Sequence, residues 1–367
     1  MNARRPRSAI LLPAYPWNPY QRLLAAALSK QGIATRTVEA WPRRAPILGA
    51  WLAHGRPDVV HLHWLHDFLG GSRGTPTRRE VWWLRQQLRM LRWLGVRLVW
   101  TVHNLKGHET RDEGRHEELR AREAAAHLAV IEQCEAIVLH CEAAREGLIE
   151  RYRPSEAAIS RMHVLPHGNY VTPYDVDIDR ATARASLGLE QTGTVFAFIG
   201  AIRGYKGVME LLEAFTSSAH LGQDARLLIC GKPIPKALGS DLRRIAGADP
   251  RIVLRLERIP EEELSPIIRA ADAVVLPFRD VLTSGSAILA LSHGRPVIAP
   301  ALGCLPGTLP ADATFLYDAD APDALGASLA EAARADLTSM GIRARTFADT
   351  LDWADIAADT ARLYGAS

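Results

Sequence analysis

Two segments of the 367-residue chain gather the residue types that hold a diphosphate. Gly200-Ala-Ile-Arg203-Gly204-Tyr-Lys206-Gly207 follows an apolar run, Val195-Phe-Ala-Phe-Ile199, and precedes a helical pattern from Val208 to Phe215. Leu282-Thr283-Ser284-Gly285-Ser286 opens a second helical pattern, Ala287 to His293, and the chain then returns through Gly294-Arg-Pro296-Val-Ile298. Each segment sets backbone N–H groups at the start of a helix, where free amides and the peptide dipole favour an anion. The guanidinium of Arg203 and the ammonium of Lys206 can both reach one diphosphate and stabilise the charge that builds on it as it departs. Alone, the first segment is equally a glycine-rich turn with solvated charges, and one serine of the second is equally a helix cap. Capping accounts for one hydroxyl, not for both together with the glycine.

The first half of the chain crowds His and Trp at strand ends: His61-Leu-His63-Trp64-Leu-His66-Asp67, then Thr101-Val-His103-Asn104-Leu-Lys106-Gly-His108-Glu109. Ligands of open α/β sheets bind outside the carboxyl ends of the strands, which is where His63, Trp64, His103, Asn104, His108 and Glu109 are expected. His61 alternates into the strand and reads as a satisfied core residue. His103, immediately past its strand, is poorly placed for a core role and reads as functional. Glu109 suits a general base for a sugar hydroxyl, and equally a surface acid. In the loop Pro13-Ala-Tyr15-Pro-Trp17-Asn18-Pro-Tyr20, the aromatics and the amide suit a sugar platform with Tyr15 and Asn18 on the acceptor side, while Asn18 is equally a cap. The stretch from Arg78 through Trp82, Trp83, Arg85, Arg89, Arg92 and Trp93 combines cations with tryptophans. Such a face can lie on an anionic membrane, and is equally the solvated side of a core-packed helix.

These residues need rigid elements behind them. Short apolar runs alternate with longer helical patterns: Ala9–Leu12, Val59–Leu62, Arg97–Val102 and Ala136–Leu139, then Val195–Ile199, Arg226–Ile229, Ile252–Leu254, Ala273–Leu276 and Pro296–Ala299. That rhythm predicts an α/β chain of two Rossmann-like halves with parallel sheets, and a cleft between them is the natural site. Val164 to Tyr174, rich in Pro and Gly, breaks both periodicities and reads as the linker. The expected division is an N-terminal Rossmann-like domain over 1–170, a second Rossmann-like domain over 171–345 that carries both diphosphate segments, and a closing helical segment, 346–367, that packs back toward the first domain through Trp353 and Tyr364.

Composition narrows the partners. With 48% hydrophobic and 23% charged residues the chain is ordinary globular material, long enough for two domains. A net charge of only +3 means that an anionic partner must meet a local patch, and nucleic acid is not indicated. The four cysteines show no CxxC or Cys/His ligand spacing, which argues against a zinc site or a disulfide framework, and no metal is expected. The basic N-terminus is followed by too short an apolar run for a signal peptide or a membrane span, so the expected location is cytoplasmic, with peripheral contact to the inner face of the membrane left open.

With the two halves, the Gly200–Gly207 turn, the Ser-Gly-Ser loop, Gly294-x-Pro-Val-Ile, His103 after its strand and the Trp353 helix in order, the chain resembles GT-B glycosyltransferases of the large family-four type over nearly its whole length. His61-Leu-His63-Trp64, Val102-His103-Asn104-Leu105, His108-Glu109 and Pro166-His167-Gly168-Asn169 look most like bacterial exopolysaccharide-type transferases, including GDP-mannose:glycolipid 4-beta-mannosyltransferases. The resemblance implies two Rossmann-like domains facing across a cleft. It also implies a nucleoside-diphosphate sugar, GDP- or UDP-linked, as co-substrate, with no cofactor. Gly200, Arg203, Lys206, Thr283, Ser284, Gly285 and Ser286 would then hold the donor diphosphate, with base recognition near Lys232-Pro233 and Arg258-Ile259 and His103 beside the transferred sugar. One departure stands out. The retaining members carry two glutamates near this loop, and Val281 and Leu289 occupy those positions here, which leaves the ribose contact and the stereochemical course open; an inverting course needs a base facing the acceptor, and Glu109 or His103 is the candidate. The expected activity is transfer of a hexose, mannose among the candidates, to a hydroxyl of a glycan or lipid-linked acceptor without a metal. The alternatives are a sugar-nucleotide 2-epimerase of the same fold, which needs no acceptor, and a non-catalytic sugar-nucleotide-binding protein.

Overall fold

A computed structural model of the chain describes residues 6–39, 45–68, 76–105, 117–171 and 178–365. The chain divides into two compact units, one made of residues 1–168 and 353–367, the other of 169–352. In the first unit the order is β1 (Ser8–Leu12), α1 (Pro19–Lys30), β2 (Ala34–Thr37), α2 (Pro46–Ala53), β3 (Val59–Leu62), α3 (Arg78–Trp93), β4 (Arg97–Thr101), α4 (Glu117–Gln133), β5 (Ala136–Leu139), α5 (Glu142–Tyr152), α6 (Glu156–Ile159) and β6 (Met162–Val164). In the second it is α7 (Arg180–Ser186), β7 (Val195–Ile199), α8 (Val208–Ser217), β8 (Arg226–Cys230), α9 (Leu238–Ala246), β9 (Ile252–Arg255), α10 (Glu261–Ala270), β10 (Ala273–Val275), α11 (Gly285–Ser292), β11 (Val297–Pro300), α12 (Leu305–Thr308), β12 (Thr314–Tyr317), α13 (Ala324–Arg334) and α14 (Leu337–Asp349). The last helix, α15 (Trp353–Leu363), returns to the first unit.

Each unit holds a six-stranded sheet, ordered β2-β1-β3-β4-β5-β6 in the first and β12-β11-β10-β7-β8-β9 in the second, and every pairing is parallel. Helices on both faces require central strands that are apolar on both sides, and Val59–Leu62, Ala136–Leu139 and Val195–Ile199 are buried at every residue. Both orders are doubly wound, so each sheet has a switch point where consecutive connections leave in opposite directions and a crevice opens at the carboxyl ends. It lies between β1 and β3 in the first unit and between β7 and β10 in the second.

The structure departs from the expected elements in two ways. Strands β2, β6 and β12 were not anticipated, and all three are sheet edges. Edge strands need no two-sided apolar run, and Ala-Thr-Arg-Thr of β2 is almost wholly exposed or half-exposed. The closing helical segment expected over 346–367 falls on two helices, α14 and α15, separated at residues 350–352. Residues 346–352 therefore stay with the second unit, and the closing segment of the first begins at Trp353. There α15 packs on α1, and Ile356, Ala357, Ala361 and Tyr364 join Tyr20, Leu24 and Leu28 in one core cluster. In the second unit, the fully buried Arg184 ties α7 to the sheet. Its guanidinium donates to the carbonyls of Ala270, Glu190, Gln191, Thr192 and Gly193 and to Asp272 Oδ2 at 2.5 Å. Asp272 also accepts from Arg180 and from the first amide of β7, so the buried charge is fully partnered, as burial demands.

Candidate functional site

In the second unit, β7 ends at Ile199, and from Gly200 the chain turns through a single 3-10 turn, Gly204–Lys206, into α8. Gly207 makes that turn possible. Its φ is +68°, and a Cβ there would meet Pro277 O at 1.7 Å, so a side chain is excluded by both backbone conformation and space. The loop after β10 lies against the turn: Arg279 N–H donates to Tyr205 O at 2.9 Å, and Lys206 Nζ stands 4.8 Å from the centre of the Phe278 ring. A Cβ built on Gly200 would find Ser286 Oγ at 4.0 Å. The two sequence segments thus converge at the switch point between β7 and β10. Ile202 bridges to Pro233 and its N–H donates to Lys232 O, which brings Lys232, at the end of β8, beside the same turn. Ile259 lies in the segment between the edge strand β9 and α10.

The chemistry of this group is cationic. Among the described residues no carboxylate pairs with Arg203 or Lys206, while their neighbour Arg279 is paired with Glu210. Burial, with Arg203 beside it, pushes the Lys206 ammonium down to about 8, the response of a desolvated cation that has no anion. Ser284 is the N-cap of α11, accepting from Ala287 N at 3.1 Å. Its hydroxyl is therefore engaged, and Thr283, Gly285 and Ser286 surround the open end of the helix.

In the first unit the loops after β1 and β3 meet at the other switch point. Tyr15 O–H donates to Asp67 Oδ2 at 2.8 Å and lies 3.0 Å from His66 Nε2. Its ring stacks on Trp17 and leans on Trp64. Burial, reinforced by Asp67, holds the Tyr15 phenol well above its usual range. Asn18 caps α1, its side-chain oxygen accepting from Tyr20 N at 3.1 Å. His61 is satisfied on both nitrogens, by Tyr364 Oη at 2.6 Å and Thr101 Oγ1 at 2.7 Å.

His103 is not the open strand-end residue its position in the sequence suggests. It is 9% exposed, with Trp64 lying on its ring at 4.3 Å and 14° and His63 Nδ1 at 3.0 Å from its Nε2. Neighbouring strands β3, β4, β5 and β6 each deliver a histidine just past their carboxyl ends: His63, His103, His140 and His167. Tyr20 stands among them, edge-on to each at 4.9–5.8 Å, and Trp353 adds a fifth edge contact. Burial lowers all four imidazoles, His140 to about 4 and His167 to about 3, and their mutual repulsion lowers His63, His103 and His167 further. The group is neutral at physiological pH. Asn104 follows His103 in a half-buried position. Glu109 and His108 lie outside the described residues. Sequence reasoning missed Tyr20, His140 and His167 as members of this group; the signal was a histidine after each of four consecutive strands.

Comparison with known proteins agrees with this architecture. Residues 193–334 match the family model described as glycosyl transferases group 1. The chain is 32% identical over 248 residues to a D-inositol 3-phosphate glycosyltransferase of Corynebacterium kroppenstedtii, covering 64% of this chain and 54% of that protein. It is 30% identical over 320 residues to the D-inositol 3-phosphate glycosyltransferase of Corynebacterium glutamicum, covering 84% and 72%. Among solved structures, a sucrose-phosphate synthase from Thermosynechococcus elongatus superposes with a TM-score of 0.75 at 20% identity, over 99% of this chain and 98% of that one. Anabaena Alr3699/HepE in complex with UDP-glucose gives 0.72 at 13%, over 98% and 99%. The chain belongs to the group 1 glycosyltransferases, and its fold is GT-B. For the first of these relatives the match spans about half of that protein's length.

Proposed function

We propose that the protein transfers a hexose from a nucleoside-diphosphate sugar to an acceptor hydroxyl, with the donor diphosphate on the second unit and the acceptor on the first. The observation that carries this reading is the pair of cations with no carboxylate partner among the described residues, Arg203 and Lys206, beside the open start of α11 at a sheet switch point. A site of that kind attracts a diphosphate and stabilises it as leaving group. A solved neighbour of the same fold is described with UDP-glucose, which supports a sugar nucleotide as the donor class. GDP-mannose is the other donor to test, and Lys232, beside the turn, is the residue we assign to the base.

For the acceptor, two classes compete. The relatives are named for D-inositol 3-phosphate, which favours a small phosphorylated polyol. The outward face of α3 favours a lipid-linked glycan at the inner face of a membrane: Trp82 and Trp93 are 58% and 84% exposed, amid arginines. No helix among the described residues is long and apolar enough to cross a bilayer, so such contact is peripheral in this reading. Arg203 and Lys206 supply the charge that a divalent cation would otherwise bring, and we expect EDTA to leave turnover unchanged.

Multiple-turnover release of nucleoside diphosphate, measured for GDP- and UDP-hexoses with each acceptor class, tests the reading. Arg203→Ala and Lys206→Ala are each expected to lower kcat by about 10²–10³, the usual effect of removing one donor to a developing oxyanion. Unchanged turnover in both variants overturns the leaving-group assignment. Conversion of donor to an epimer without acceptor supports the epimerase instead, and binding without turnover supports a sensor.

A further inference from the structure

One hydrogen bond in the first unit decides what His103 can do. A single proton lies between His63 Nδ1 and His103 Nε2, 3.0 Å apart. His103 is held by the Trp64 face and the Tyr20 edge. His63 is held by its backbone N–H on Leu12 O, by Trp100 Nε1–H on its carbonyl, and by stacking on His61 at 4.5 Å. His63 Nε2 is sealed from solvent and has no partner, and His61 cannot serve it because both its nitrogens are engaged.

With both rings neutral, two arrangements are possible. If His103 Nε2–H donates, His63 must carry its own proton on the sealed Nε2, leaving a buried N–H with no acceptor. If His63 Nδ1–H donates, the sealed nitrogen is a bare lone pair and no donor is orphaned. Orphaned buried N–H groups are the rarer of the two in folded proteins, because a strong donor loses its water bond and gains nothing. We infer that His63 is a positioning residue that fixes His103 as the Nδ1–H tautomer, so that His103 offers its substrate a hydrogen-bond donor and not a base. Among the described residues His103 Nδ1 has no hydrogen-bond partner, and it is not among the sealed polar atoms, so its N–H is free to meet a sugar hydroxyl or a phosphoryl oxygen. Proton removal from the acceptor then falls to another group. What the donor touches rests on the proposed transferase reading; the tautomer does not.

The tautomer is read directly from long-range proton–nitrogen correlations of the full chain labelled with ¹⁵N-histidine at neutral pH, with His103→Gln identifying the resonances. A protonated Nδ1 and bare Nε2 on His103 are expected, and a protonated Nε2 overturns the inference. Independently, His63→Leu is expected to lower kcat by about tenfold or more with the donor KM within about twofold, as when a fixed tautomer is lost. His63→Asn, whose amide occupies the place of Nδ1 and can donate, is expected to recover most of that loss. Equal losses in the two variants at equal melting temperature also overturn it. If the wild-type protein turns over no sugar nucleotide, the transferase reading fails, while the resonance measurement still decides the tautomer.

Discussion

Lys206 carries a proton whose hold depends on what occupies the site. Its ammonium is pushed down to about 8 by burial and by Arg203; under the proposed donor site a diphosphate would give it an anionic partner and raise its bound-state pKa. The sign follows: below about pH 8 the lysine is charged with or without ligand and affinity is flat with respect to this group. Above it, each binding event takes up a proton, and affinity falls by up to about tenfold per pH unit until the bound-state pKa is passed. Titration calorimetry of GDP or UDP in buffers of different ionisation enthalpy is expected to show proton uptake at pH 9 and none at pH 7 from this source. In Lys206→Met that uptake disappears, and uptake that persists there assigns it to another group. Arg203, Lys206, Ser284 and His103 were legible in the sequence because each sits next to an element boundary that the apolar runs mark. Tyr20, His140 and His167 were not, because their meeting depends on strand order: β1, β3, β4, β5 and β6 must lie side by side before residues from position 20 to position 167 can touch. The engagement of Ser284 and Asn18 as caps was visible only as one of two options until the Ala287 and Tyr20 amides were in place.

Helix α3 shows how one element can carry two instructions. Val81, Leu84, Leu88 and Leu91 fall on its buried face, at the spacing that packs a helix on a sheet. The opposite face holds Trp82 and Trp93, about 16 Å apart along the axis, with Arg79, Arg85 and Arg89, which have no ion-pair partner among the described residues. Arg78 and Arg92, by contrast, are paired with Glu118 and Glu135. Indole rings favour the bilayer interface and unpaired arginines favour anionic headgroups, so we expect flotation with phosphatidylglycerol vesicles and not with phosphatidylcholine alone. At about 1 kcal/mol per arginine, Arg79→Gln, Arg85→Gln and Arg89→Gln together are expected to weaken partitioning on the order of 100-fold. Trp82→Ser with Trp93→Ser is expected to abolish flotation without changing donor binding. Absence of flotation in the wild type leaves the phosphorylated-polyol acceptor as the better reading. The helix itself was plain in the sequence, as were all central strands, since burial on both faces writes a continuous apolar run. The edge strands β2, β6 and β12 were invisible for the converse reason: one open side allows polar residues, and Ala-Thr-Arg-Thr has no periodicity that separates it from a loop.

At the scale of the whole chain, the second unit is inserted into the first, which is completed only by residues 353–367. The closing helix does more than cover apolar surface. Trp353 fills the space above Gly168, where even a Cβ would approach its ring to 2.3 Å, and Tyr364 is fully buried with its hydroxyl 2.6 Å from His61 Nδ1. Without α15, Leu24 and Leu28 of α1 lose their cover, and a buried imidazole loses one of its two partners. Deleting residues 353–367 is therefore expected to destabilise the first unit by several kcal/mol, of which Tyr364→Ala alone accounts for about 3–5 kcal/mol. The second unit has its own core around Phe196, Phe198, Phe215 and Leu227 and its own buried Arg184–Asp272 anchor, and is expected to persist. Hydrogen exchange resolved by peptide separates the two outcomes. Loss of protection in β1, β3 and β4 is expected while β7, β8 and β10 stay protected, and the truncated chain is expected to keep its affinity for nucleoside diphosphate while losing transfer. A uniform loss of protection across both units would mean instead that the second unit depends on the first for its folding, and that the proposed nucleotide site cannot be separated from the histidine cluster by truncation.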